Sequence, residues 1–152
     1  MRYILIDRIT ALVPGHSLEA IKNVCQAEDL VSRDAAGRSA LPAAMVLEAM
    51  AQAAGLLVAA SIAVPAQPVL AKVQPFTAYG EARPGDAVAI RAELEELRAE
   101  GCRARVAASI DARPLADATI FLALVPLEGA GAASRAASMR TMLAETFPEW
   151  FQ

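Results

Sequence analysis

Residues 41–61, LPAAMVLEAMAQAAGLLVAAS, decide the fold: all are apolar or tiny except Glu48 and Gln52. Ala, Leu and Met are strong helix formers, Pro42 has the fixed φ of a first helical position, and the next proline is Pro65. The stretch predicts one long helix opening at Pro42, with Leu41 in the capping position. At ~1.5 Å per residue such a helix spans roughly 30 Å, the width of a small domain. Apolar nearly all round, it must be enclosed by the rest of the chain. A membrane span is the competing reading. A glutamate near the middle of a span costs about 2.5 kcal/mol or more, and alanine contributes little, so a core helix is favoured.

Glu48 and Gln52 are four residues apart and share one helical face. A carboxylate beside an amide on an apolar helix needs either partners or a task. Two readings stand side by side: a hydrogen-bonded core pair, or a carboxylic acid kept protonated by burial, the state a general acid requires. Both expect Glu48 to be buried; the second has it face a pocket with Gln52.

The composition narrows the classes. With 152 residues and 56% hydrophobic content, the chain suits one domain with a substantial core, or a subunit that buries more on association. The net charge of −3 and the lack of a basic, aromatic-interleaved tract argue against nucleic acid as partner. Cys25 and Cys102 have neither metal-ligand spacing nor a disulfide framework, so no metal is expected and nothing demands an oxidising compartment. The start, MRYILIDRIT, lacks a signal-peptide core, and a cytoplasmic location is expected.

Taken in order, residues 3–9 and 18–26 read as strands around a Pro14-Gly15 turn. His16, the only histidine, falls in that turn and is expected to be solvated. Residues 27–40 are small and polar and read as a loop. With Leu41 offering no side-chain acceptor, the amides of Ala43 and Ala44 are expected to be uncapped and suited to a carbonyl or oxyanion, unless Ser39 folds back on them. Residues 69–77 have strand composition broken by Pro75, which a bulge or sheet edge tolerates. After an ARPGD turn, residues 87–97 set helical propensity against strand alternation. Cys102, Ala104, Val106, Ala108 and Ile110 alternate as one buried face, and Ala116, Ala118, Ile120, Leu122 and Leu124 repeat the pattern beyond a turn at 112–114. The meander favours a strand for 87–97 too. Residues 127–134 read as a linker. Met139, Met142, Leu143 and Phe147 then mark a short amphipathic tail helix, expected to dock on its own domain.

These motifs together resemble the 3-hydroxyacyl-[acyl-carrier-protein] dehydratases, which are hotdog-fold enzymes. Pro42 and the run Glu48, Ala49, Met50, Ala51, Gln52, Ala53, Ala54, Gly55 match the family's central-helix motif without a gap. LIDRI at 5–9, PG at 14–15 and AIKNV at 20–24 are similar to its first hairpin, and ARPGD with the final strands to its closing meander. The resemblance implies an α+β fold: a single hotdog domain over 1–127, its long helix wrapped by a curved antiparallel sheet, with 128–152 as linker and tail. It departs in one segment, notably at two positions. The family's catalytic histidine lies eight residues before the helical proline, where this chain has Asp34, and Ala43 replaces the glycine after that proline.

In the resembled enzymes the histidine takes the C2 proton of a 3-hydroxyacyl thioester, a helix carboxylate from the other subunit protonates the leaving hydroxyl, and helix-terminal amides hold the carbonyl. The resemblance therefore implies Glu48 and Asp34 as catalytic residues, with Ala43, Ala44, Gln52 and Phe76 around the substrate. An unperturbed aspartate is ~2.6 pKa units less basic than histidine, so Asp34 needs help, which two close carboxylates sharing a proton supply. The implied partner is an acyl thioester on acyl carrier protein or coenzyme A. Carrier proteins are acidic, so docking is expected at Arg33, Arg38, Lys72 or Arg83. No cofactor is implied. A homodimer or higher homo-oligomer is expected, or a heterodimer with a histidine-bearing homologue. A thioester hydrolase using Glu48 or Asp34, and a non-catalytic subunit of a heterodimeric dehydratase, are the alternatives.

Overall fold

Apolar residues at every second position give the central strands one buried face, and in this computed structural model, which describes residues 4–33, 36–62, 66–127, 129 and 131–151, those faces meet one long helix. The elements are β1 (Arg8–Val13), β2 (Ser17–Asn23), β3 (Ser32–Arg33), β4 (Ser39–Ala40), α1 (Ala43–Ser61), β5 (Ala66–Ala78), β6 (Ala87–Leu97), β7 (Gly101–Ile110), β8 (Arg113–Pro126) and α2 (Ala132–Thr146). Six strands form an antiparallel sheet in the order β1-β2-β6-β7-β8-β5, and β3 and β4 pair separately. Because β2 and β5 lie far apart in the sheet, the chain between them must cross it, and α1 makes that crossing, touching β2, β6, β7, β8 and β5. A helix wrapped by an antiparallel sheet is the hotdog arrangement.

The buried residues of α1 recur at helical spacing: Val46, Ala49, Met50, Ala53, Ala54, Leu57 and Val58. Alanine at three of these positions lets the helix axis sit close to the sheet, and Met50 and Leu57 fill what remains. Facing strands alternate small with large, Ala104 opposite Ile120 and Val106 opposite Ala118. By length and composition α1 could cross a membrane, yet this face is sealed against the sheet.

Several expectations shift. Pro42 is the N-cap, not the first helical residue, and Leu41 is held in a buried bridge with Ala82, its amide donating to the Ala82 carbonyl at 2.8 Å. The first strand begins at Arg8, and Tyr3 lies outside the described residues: Leu5 and Ile6 are buried without being paired as strand, the Leu5 amide being taken by Gln52. β2 ends at Asn23, where the chain turns to meet Asp86. The β7–β8 hairpin turns on Asp111 and Ala112, both at positive φ as a two-residue turn demands, so Pro114 falls inside β8. In the loop 27–40, β3 and β4 form a small hairpin.

Residues 87–97 form β6 throughout, because β2 and β7 claim its backbone groups on both sides and override helical propensity. β5 runs along an edge of the sheet with a register shift between Val73 and Phe76, which accommodates Pro75. Its Val69 and Leu70 are exposed. Beyond the sheet, α2 docks by Ala136 and Leu143 and by Phe147 just after it, and the Trp150 indole donates to the Ile9 carbonyl at 3.2 Å.

Candidate functional site

The helix that fills the core turns its opposite side outward, and that side carries Glu48 and Gln52. Glu48 is exposed, which corrects the expectation of burial. The physical reason is one of supply: a single six-stranded sheet covers one face of α1, and the face bearing Glu48 is left to α2 and to the N-terminal segment. Gln52 is half-buried and its amide is oriented by two bonds. Its Oε1 accepts from the Leu5 amide at 2.8 Å, leaving Nε2 to donate to Glu48 Oε1 at 3.0 Å. The carboxylate is thereby held at a cavity of about 280 Å³, lined also by Ile4, Leu56 and, from α2 and its end, Met139 and Phe147.

A second cavity, of about 260 Å³, opens at the N-terminus of α1. Ala43 and Phe76 line it, with Arg33 and Arg38 from the β3–β4 hairpin and Glu81 beside them. Pro42 makes no side-chain cap hydrogen bond, and Ser39 does not fold back, since its hydroxyl accepts from Gln26 Nε2 at 3.1 Å. Ala44 is exposed and lines neither cavity.

The hairpin at this mouth is anchored from below. Lys22 is only 4% exposed; its Nζ donates to Glu28 Oε1 and to the Asn23 carbonyl, both at 2.6 Å. The same Glu28 oxygen accepts the Cys25 amide at 3.1 Å. One carboxylate thus gathers the end of β2 and the start of the loop that bears Arg33 and Arg38. Sequence reasoning passed over both residues; a lysine at the alternate, inward register of β2 was the available signal.

The residues singled out in the sequence therefore divide. Ala43, Phe76, Arg33 and Arg38 come together at one cavity, Glu48 and Gln52 at another, and Asp34 lies outside the described residues. Arg83 lines neither cavity but pairs with the cavity residue Glu81 at 3.0 Å. Lys72 stands on β5 with its ammonium 5.7 Å from the Phe121 ring centre, away from both. His16 is exposed. Burial pushes the Cys102 thiol up, and the hydrogen bond to Asp117 pushes the exposed Tyr79 phenol up; neither residue lines either cavity. Among the described residues no cluster of three His, Cys, Asp or Glu could hold a metal ion. The α2 side of the Glu48 cavity was missed: helical spacing of its methionines marked a docking face but not what it would enclose.

The helix-in-sheet architecture defines a hotdog domain. Solved structures share it, among them smu.793 from Streptococcus mutans bound to acetyl CoA (TM-score 0.66, 13% identity, covering 83% of this chain and 94% of that one). A hypothetical thioesterase protein with coenzyme A from Streptococcus pneumoniae is another (TM-score 0.63, 15% identity, covering 78% and 85%). The FabA-like domain matches residues 1–122. The 3-hydroxyacyl-[acyl-carrier-protein] dehydratases FabZ of Klebsiella pneumoniae and Salmonella arizonae are each 30% identical over 132 residues, covering 80% of this chain and 82% of theirs. The chain belongs to the FabA-like family.

Proposed function

We propose that this protein binds acyl thioesters, carried on acyl carrier protein or coenzyme A, and acts on 3-hydroxyacyl groups through Glu48 with Asp34 in the position of the family's histidine. The observation that carries the reading is the Glu48–Gln52 pair held at the mouth of a largely apolar cavity on the central helix. A polar group at the rim and an apolar interior suit a substrate with a reacting head and a hydrocarbon tail. The relatives named as dehydratases support the 3-hydroxyacyl class.

Within one chain the two halves of the site face apart. Ala43 and Glu48 are five residues apart on α1, hence roughly 140° around the helix. A second copy supplies what one chain lacks, presenting its helix carboxylate to the first copy's helix-end cavity. The edge strand β5, long and with exposed Val69 and Leu70, is a surface for such pairing. Association would also give Glu48 the dry surroundings that its own chain does not.

Purified protein assayed against a 3-hydroxyacyl thioester and the matching saturated acyl thioester tests the reading. Dehydration of the first, lost in Glu48→Gln, is the expected result; failure to bind or turn over either overturns it. Glu48-dependent hydrolysis of the saturated thioester would assign the hydrolase alternative, which the solvent access of Glu48 favours, since a carboxylate that water reaches can activate that water.

Carrier docking is expected at Arg33 and Arg38, at the mouth of the helix-end cavity. Reversing both charges should slow association with an acidic carrier ~10-fold or more at low salt, with the difference shrinking as salt is added. Lys72→Glu, away from that mouth, should leave association within twofold, roughly the effect of a distant screened charge. Surface plasmon resonance at two ionic strengths reads both, and equal, salt-insensitive rates would count against this docking surface.

A further inference from the structure

We propose that α2 is the specificity wall of the Glu48 cavity: the hydrocarbon tail of the acyl group lies between α1 and α2, and Met139 and Met142 limit its length. This rests on the acyl-thioester reading and deepens it. The match to the FabA-like domain ends at residue 122 and α2 begins at Ala132, so this wall lies outside the part of the chain that the family match covers.

The cavity has distinct sides. Its polar end is Glu48 with Gln52, joined by a 3.0 Å hydrogen bond. The α1 side beyond them is low at Gly55 and Ala59, with Leu56 as its one bulky lining residue. A Cβ placed on Gly55 would meet only Pro68 Cβ, at 4.0 Å, so the floor is open. Most of the bulk enters from the other side, where Met139, Met142 and Phe147 line the cavity.

The wall is anchored at residues other than the two methionines. Leu143 and Phe147 are buried, and the Trp150 indole holds the Ile9 carbonyl, whereas Met139 and Met142 are only half-buried. Unbranched and polarisable, methionine adapts its shape to an apolar ligand. The cavity, about 280 Å³, lies just below the range of roughly 300–1,000 Å³ that holds drug-sized ligands. Short and medium acyl chains fit that volume; long ones require the methionines to be displaced.

Two variants of the full chain move the limit in opposite directions. Met139→Ala with Met142→Ala enlarges the cavity from the α2 side. Gly55→Leu fills it from the floor, and helix propensity favours that change, so the fold is retained even where the alanine pair loosens α2. Binding of hydrolysis-resistant ketone analogues of butanoyl-, octanoyl- and dodecanoyl-CoA is measured by calorimetry. The alanine pair is expected to gain about tenfold for the dodecanoyl analogue relative to butanoyl, and Gly55→Leu to lose about tenfold for octanoyl relative to butanoyl, the scale set by adding or removing methylene-sized space. If wild type binds the analogues and Gly55→Leu leaves the order of affinities unmoved, α2 is not the wall and this inference alone falls. If wild type binds none of them, the acyl-thioester reading falls and takes the inference with it.

Discussion

Replacing Asp34 by histidine is expected to raise dehydration of 3-hydroxyacyl thioesters by ~10²–10⁴, the contribution of a well-placed base tuned near neutral pH. An ordinary aspartate is ~2.6 pKa units less basic than histidine, so proton removal from C2 is the step it serves worst. Glu48 and Gln52 are hydrogen-bonded on α1, and the helix start has no side-chain cap, with Ala43 where the resembled family has glycine. Adding Glu48→Gln to Asp34→His should abolish the gain, because the leaving hydroxyl then lacks its acid. A coupled assay following the enoyl product gives the rate. Wild-type turnover already equal to that of the variant would make Asp34 a working base. Activity that appears only when a histidine-bearing homologue is added would assign the chain to the partner-subunit class.

How far the sequence carried depended on whether an element's environment comes from its own residues. The period-two faces of β7 and β8 and the helical face of α1 were legible because a single pattern dictates each. At residues 87–97 the local signals disagreed, and neighbouring strands on both sides settled the matter. The exposure of Glu48 was not legible. An all-apolar helix says that cover is needed, not which face this chain's own sheet provides, and the sheet takes the side of Met50 and Leu57. The same limit hid the α2 wall: methionine spacing predicts that a helix docks, while the cavity it leaves depends on Gly55 and Ala59 across from it. The cap moved by one residue because Leu41 found a partner in Ala82, distant in sequence and invisible to any local rule.

Glu28→Ala is expected to destabilise the protein by ~1–3 kcal/mol, the cost of leaving the buried Lys22 donor without its partly exposed partner. Lys22 is 4% exposed, and without Glu28 its ammonium keeps, among the described residues, the Asn23 carbonyl at 2.6 Å, too little to replace water. The Cys25 amide loses its acceptor in the same stroke. At this chain length each kcal/mol lowers the melting temperature by about 2–4 °C, so a fall of roughly 2–12 °C is expected by calorimetry. The double variant Lys22→Met with Glu28→Leu removes both charges and should recover most of the loss, since apolar replacements of a whole buried pair are often neutral. A melting point unchanged in Glu28→Ala would mean that water, not protein, satisfies Lys22. The double variant also separates stability from positioning: it is expected to fold while the loop bearing Arg33 and Arg38 loses the carboxylate that gathers its start. Carrier association should then slow in a protein whose melting temperature is restored, an outcome that a purely structural ion pair would not produce.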